Sequence, residues 1–289
     1  MERGDFEAAW RVSDEVLRLR RGRDCTHLPR HFQWVWDGRS LAGKRVLIRC
    51  YHGLGDTVQF IRYAPLVKQI AARVNVWGQP ELLPLLRTMQ NAFDELLPLH
   101  DGTPDCDFEL DIELMELPHA FRSTASTVPA SIPYFHVTPA AISRSDNLHV
   151  GLVWAAGDWD ERRSIPFEIV QQLAQAPGVT WHILQRGPAL AEWNNSFGVN
   201  SGTDDVLQAA RVIAALDLLI SVDTLPAHLG GALGIPIWTL LHAQPDWRWM
   251  SDRADSPWYP TMRLFRQGRA GDWRGVLAEV QTQLRLLSY

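Results

Sequence analysis

Apolar and polar positions alternate along the chain in two successive series. Near the N-terminus Phe6, Ala9, Trp10, Val16 and Leu17 share one face at helical spacing, interrupted by Ser13, which predicts an amphipathic helix. From Lys44 the period changes. Arg45-Val46-Leu47-Ile48-Arg49-Cys50 reads as a short buried strand, His52-Gly53-Leu54-Gly55-Asp56 as a glycine-rich loop, and residues 57–72 as an amphipathic helix. Residues 73–78 predict another strand, Pro80 stands near the first turn of a further helix, and residues 106–114 alternate as a strand. A Pro- and Ser-containing stretch, 123–139, breaks the series. Beyond it strands are predicted at 149–154, 179–184, 218–222 and 235–241, with helices at 166–174, 206–215 and 226–233 between them. Val276, Val280, Leu284 and Leu287 line one side of a terminal helix at 272–287.

Strands that alternate with helices imply parallel sheets joined by right-handed crossovers. Two such series predict an α/β protein of two Rossmann-like domains whose parallel sheets face across a cleft, a common place for ligands. The expected divisions are a helical extension at 1–40, an N-terminal domain at 41–140 and a C-terminal domain at 141–289. A length of 289 residues with 46% hydrophobic content suits a chain with a sizeable core and argues against disorder. No uncharged apolar run approaches the roughly 18 residues of a membrane span. The first residues lack the apolar stretch of a signal peptide, so a cytoplasmic protein with at most peripheral membrane association is expected. Cys25, Cys50 and Cys106 are too scattered for a disulfide framework or a cysteine zinc site. The net charge of −5 gives no bulk reason to expect nucleic acid as a partner. The basic cluster Arg18, Arg20, Arg21 and Arg23 suits a solvated helix end.

Candidate chemistry concentrates where strands end. Gly53-Leu54-Gly55-Asp56-Thr57 lies between a parallel strand and a helix, where α/β proteins bind ligands. It is a weak dinucleotide fingerprint, because position 58 is Val and no third glycine follows. Asp56 is either a helix cap or a general base. Ser221-Val222-Asp223-Thr224-Leu225-Pro226-Ala227-His228 forms a strand end, a polar turn and a helix start. Asp223 or Thr224 is placed to cap, and the N–H groups there offer an anion site. His228 is either a satisfied, partly buried histidine or a ligand for the same anion. In the loop 155–165, Arg162 and Arg163 suit a diphosphate, whereas Asp158-Trp159-Asp160 is too short a pattern to imply a metal. Trp154, Gln185, Asp246 and Trp247 are candidates for sugar or base contacts, although aromatic residues in the loops after strand 235–241 equally suit loop packing. Asp111, Glu113 and Glu116 lie near a strand end before Pro118-His119; Glu116 is either a second cleft carboxylate or, the better reading of the pattern, part of a solvated face.

Taken together, Gly53-Leu54-Gly55-Asp56-Thr57-Val58-Gln59-Phe60-Ile61-Arg62-Tyr63, Arg163-Ser164-Ile165-Pro166, Ile220-Ser221-Val222-Asp223-Thr224 and Ala227-His228-Leu229 resemble glycosyltransferase family 9, the ADP-heptose–lipopolysaccharide heptosyltransferases. Pro245-Asp246-Trp247-Arg248-Trp249 and the stretch 256–266 resemble the branch in which such a domain follows tetratricopeptide repeats. The resemblance spans about residues 40–287. It implies a GT-B fold and an inverting, metal-independent hexosyl or heptosyl transfer with no cofactor. The substrates would be a nucleoside-diphosphate sugar and a glycan or protein acceptor. By position Asp56 would be the base. Gly53, Gly55, Arg163, Ser164, Asp223, Thr224 and His228 would form the donor and phosphate site, and the last helix would cross back onto the N-terminal domain. The chain departs from that branch in lacking a repeat array and in having Glu116 before Leu117-Pro118. Two other classes remain open: a sugar-nucleotide epimerase of the same fold, and a non-catalytic nucleotide- or protein-binding relative.

Overall fold

The structure, a computed structural model, describes residues 1–157 and 159–287. It divides into two compact units, Met1–Phe135 and His136–Tyr289. The first is built on four strands, β1 (Arg45–Arg49), β2 (Arg73–Gly78), β3 (Glu95–Pro98) and β4 (Leu110–Glu113). They lie in the order β3-β2-β1-β4 with every pairing parallel. Val46, Leu47, Ile48, Val74, Val76 and Ile112 are all buried, as in a sheet covered on both faces. Its helices are α1 (Phe6–Arg20), α2 (Leu54–Phe60), α3 (Ala64–Ile70), α4 (Leu83–Leu86) and α5 (Leu117–Ala120). The single helix expected at 57–72 is two helices joined by a 3₁₀ turn, Ile61–Tyr63. Pro65 stands in the first turn of α3 and has no N–H to continue the ladder from α2. Strand β3 escaped the sequence reading because it is a four-residue edge strand ending in Pro98, a residue that only an edge tolerates well. Helix α1 is docked on this unit. Its Trp10 indole donates to the Ser123 carbonyl at 2.7 Å, and Asp14 meets Arg122 at 2.6 Å.

The second unit has six strands: β5 (Leu148–Val153), β6 (Val179–Ile183), β7 (Val199–Asn200), β8 (Leu218–Val222), β9 (Ile237–Leu241) and β10 (Met262–Arg266). Their order is β10-β9-β8-β5-β6-β7, again wholly parallel. The helices are α6 (Phe167–Val170), α7 (Leu190–Trp193), α8 (Val206–Ile213), α9 (Leu225–Leu233) and α10 (Trp273–Leu287). The sequence reading sends the terminal helix back onto the first domain. Trp273, Val276, Leu277, Val280 and Leu284 of α10 are buried in the core of the second unit. Among the described residues no helix is long and apolar enough to cross a membrane.

In each unit the order of strands reverses beside the first one. The chain runs outward from β1 to β3 and returns to the other side with β4; likewise it runs from β5 to β7 and returns with β8. The carboxyl ends of β1 and β4, and of β5 and β8, therefore flank switch points, where loops diverge and leave room for a ligand.

Candidate active site

The switch point of the first unit brings together the loop after β1 and the end of β4. Gly53 is extended and precedes α2, and its N–H donates to Asp56 Oδ2 at 3.1 Å, so Asp56 does cap its own helix. Beside it the Gln79 side-chain amide donates to the His52 carbonyl at 2.7 Å and accepts from the Thr57 hydroxyl at 3.0 Å. Glu113 contradicts the expectation of a solvated carboxylate face: it is 1% exposed. Its oxygens accept from the N–H of Tyr51 at 3.2 Å and of Met115 at 2.7 Å, and Oε1 lies 3.0 Å from His52 Nδ1.

Glu116 is also drawn inward. It accepts from the N–H groups of Glu113 and Trp36, both at 2.9 Å, and of Val35 at 3.3 Å. Burial pushes its carboxyl up to about 7, with the charge of Glu113 adding to the rise and the three N–H donors opposing it. A carboxyl raised in the folded state supports folding while it is protonated. That support is complete below about pH 4.5 and is lost as the pH rises through 7. Glu116→Gln keeps an acceptor and never ionises. It is expected to gain about 2 kcal/mol relative to the parent between pH 5 and pH 8. Urea unfolding across that range checks this; a difference that does not change with pH rules it out.

In the second unit the loop after β5 meets the turn between β8 and α9. The Ser164 hydroxyl accepts from Ala156 N–H at 3.1 Å, and the Ile165 N–H donates to the Trp154 carbonyl at 2.8 Å, which closes the loop. Arg163 Nη1 donates to the Asp223 carbonyl at 3.0 Å, while its buried Nε finds no hydrogen-bond partner among the described residues. Its guanidinium is thus fixed at the start of α9. Arg162 instead pairs with Asp160 at 2.9 Å, and mainly that hydrogen bond holds the Asp160 carboxyl down at about 2. Asp158, the first residue of the Asp-Trp-Asp pattern, lies outside the described residues.

Thr224 occupies the cap position of α9 in extended conformation, but its hydroxyl makes no capping bond. Asp223 does not cap either. Its carboxylate accepts from the Trp249 indole at 2.8 Å, and burial pushes its pKa up against the pull of Arg248, Trp249 and Arg163. The start of α9 therefore has no side-chain cap; Pro226 brings no N–H and the Ala227 N–H donates to the Thr224 carbonyl at 2.9 Å, so what an anion would meet there is chiefly the positive end of the helix. His228 lies behind this turn, 3% exposed. Its Nδ1 meets the Tyr259 hydroxyl at 3.0 Å and its ring stacks on Trp249 at 5.6 Å.

Two of the proposed sugar or base contacts are corrected. Trp154 is 1% exposed and packs on Phe167 in the core. Gln185 directs its amide at backbone, accepting from the N–H of Trp154 and Ala155 at 3.0 and 2.8 Å and donating to the Arg186 carbonyl at 2.8 Å. It braces the loop after β5 from behind. Asp246 caps the turn 247–249 and pairs with Arg248 at 2.8 Å, whereas Trp247 is half-buried, edge-on to Trp258. Among the described residues no His, Cys, Asp and Glu side chains cluster as a metal ion requires.

No family model matches the chain. It is 26% identical over 292 residues to Protein FlbA of Caulobacter vibrioides, covering 86% of this chain and 48% of that protein, so the chain spans about half the length of this curated relative. Among solved structures it superposes on a family 9 glycosyltransferase from Veillonella parvula with a TM-score of 0.61 at 11% identity, covering 86% of this chain and 99% of that one. The E. coli ADP-heptose lipopolysaccharide heptosyltransferase II gives 0.55 at 14% identity, over 84% and 99% of the two chains. The chain has a GT-B fold. A third GT-B structure, E. coli heptosyltransferase WaaC with ADP, gives 0.53 at 12% identity over 83% and 99%.

The residues missed by sequence reasoning on this GT-B chain are His52 and Glu113 in the first unit and His242 in the second. His242 follows β9, is almost fully buried, and lies 3.7 Å from Asp160. Burial pushes its pKa down. Each stands at the carboxyl end of a strand, which was the available signal; what each one faces was not.

Proposed function

We propose that this chain transfers a sugar from a nucleoside-diphosphate sugar to a hydroxyl of a glycan or protein acceptor, with inversion and without a metal ion. The observation that carries the reading is the placement of Arg163 at the uncapped start of α9, on the switch point between β5 and β8. A fixed guanidinium and the positive end of a helix supply the positive charge that a leaving diphosphate needs. The GT-B fold supports the same reading, as do solved neighbours whose structures hold ADP or an ADP-sugar. Ser164 and Gln185 shape the loop that carries Arg163, while Asp223, Trp249 and His228 form the wall behind the turn. In the first unit Asp56 is the carboxylate assigned to the acceptor hydroxyl, as its base.

The test begins with ADP, UDP and GDP. One of them at about 100 times its dissociation constant is expected to stabilise the fold by about 2.7 kcal/mol. Arg163→Ala is expected to weaken that nucleotide about 10- to 100-fold by calorimetry, the loss of one charged hydrogen bond. Unchanged affinity removes Arg163 from the donor site. No stabilisation by any of the three favours a non-catalytic role.

A further inference from the structure

Two imidazoles face each other inside the second unit, on the neighbouring strands β5 and β6. His149 and His182 are 1% and 4% exposed, and His149 Nδ1 lies 2.9 Å from His182 Nε2. We propose that they form an acid-released latch on the segment entering β5: with both rings neutral the pair holds the Ser145 N–H, and uptake of one proton by the pair sets that N–H free.

A backbone donor fixes the tautomers. The Ser145 N–H donates to His149 Nε2 at 3.2 Å, so that nitrogen carries no proton. The proton of neutral His149 is therefore on Nδ1 and is donated to His182 Nε2. The proton of His182 is then on its own Nδ1, which meets the Ser201 hydroxyl at 2.9 Å. Ser201 directly follows β7, and its N–H donates to the Ile183 carbonyl at 3.0 Å. One chain of hydrogen bonds thus runs from the segment before β5, through β5 and β6, to the edge of the sheet.

An added proton breaks this chain at a definite place. If His149 takes it, the new N–H is on Nε2 and faces the Ser145 N–H. If His182 takes it on Nε2 and the bond between the rings is kept, His149 must accept on Nδ1 and again carries its proton on Nε2. Either way the Ser145 bond is the one given up. Ser145 is exposed, so water replaces the imidazole as its acceptor, whereas a broken bond between the rings leaves two buried N–H groups facing each other. The charged groups around the pair oppose one another. Asp217 Oδ2 accepts from the His149 N–H at 2.8 Å and favours an imidazolium; Arg144, paired with Asp217 at 3.1 Å, disfavours it. Burial, then the His149 ring, then Arg144 hold the His182 pKa down, against the pull of Asp217. A histidine held down in this way supports the fold above its ordinary value of about 6.5, and that support is lost as the pH falls through the lowered pKa.

The experiment is NMR on the full chain, with nitrogen-15 in histidine and serine, from pH 7.5 to pH 5. Both imidazoles are expected to carry their proton on Nδ1 at pH 7.5. Protection of the Ser145 amide against hydrogen exchange, relative to a free peptide at the same pH, is expected to fall about tenfold or more by pH 5, because the population with one extra proton grows about tenfold with each pH unit. The His149 Nε2 resonance is expected to move to its protonated position over the same range. His149→Gln keeps an acceptor where Nε2 stands and never ionises, so its Ser145 protection is expected to be equal at pH 5 and pH 7.5. Thermal melting checks that this variant folds; if it does not, the two measurements on the parent decide. A His149 protonated on Nε2 at pH 7.5 overturns the latch, and so does parental Ser145 protection that is unchanged at pH 5. An equal loss of protection in folded His149→Gln overturns it as well. None of these readouts uses a nucleotide, so the latch and the transferase reading fail separately.

Discussion

Asp56→Asn is expected to lower turnover by about two to four orders of magnitude while leaving affinity for the nucleoside diphosphate unchanged. The substitution isolates chemistry from structure. The carboxylate has a structural duty, since Oδ2 accepts from Gly53 N–H at 3.1 Å and closes the first turn of α2. An asparagine retains an oxygen in that place, so the cap and the loop conformation survive. What it lacks is the ability to take a proton. The proposed donor side belongs to the other unit, where Arg163 and the start of α9 are untouched. The measurements are single-turnover transfer, calorimetric nucleotide affinity and melting temperature on the same preparation. Transfer at the parental rate sinks the assignment of Asp56 as base. A melting temperature that falls along with the rate assigns the loss to the cap instead.

The second large effect is one of packing, at Gly231→Ala. Gly231 lies on α9, and a Cβ added there would stand 2.4 Å from two ring carbons of Tyr259. Ordinary carbon contacts begin near about 3.5 Å, so one partner must give way. The ring has little freedom to do so. Tyr259 is fully buried, its hydroxyl meets His228 Nδ1 at 3.0 Å, and His228 is stacked on Trp249, whose indole is tied to Asp223. Relief must therefore come from α9 moving off the sheet or from the whole network shifting. Overpacking of this kind costs about 1–3 kcal/mol. For a unit of this size that corresponds to a fall of roughly 4–10 °C in Tm. Because the displaced helix carries the proposed diphosphate site, nucleotide affinity is expected to fall as well. Gly268→Ala is the control, since nothing lies within 4 Å of the Cβ it would add. Equal melting temperatures for the two variants would show that the network can yield.

The two predictions address different kinds of residue, and the sequence treats them differently. Asp56 and Arg163 could be singled out as chemistry because each lies in a loop after an apolar run. Tyr259 reads only as an aromatic residue between two prolines. Its place against Gly231 is set by how the segment before β10 packs on α9. The same limit explains Trp154 and Gln185. Both follow strands, the position that favours ligand contact, yet one faces the core and the other turns onto backbone. A strand end says that a side chain is near the edge of the sheet. It does not say which way the side chain turns.

The sequence by itself determined the α/β class, the two series of strands, and their approximate ends. Interior strands of a parallel sheet are covered on both faces, so β1, β2, β5 and β8 are written mainly in buried apolar residues, with Asn75, His149 and Ser221 as buried polar exceptions. It also determined that a glycine-rich loop and a Pro-marked helix start follow two of those strands. Only the tertiary structure decided the order of strands, and with it the switch points that place β4 beside β1 and β8 beside β5. It alone joined Glu113 to His52, docked α1 on the first unit, kept α10 in the core of the second, and recruited the edge strands β3, β7 and β10. The physical reason is that periodicity records how often a residue is hidden from water, which is a local property. The partner from which a polar group receives its hydrogen bond is supplied by a distant segment, and no local pattern carries that information.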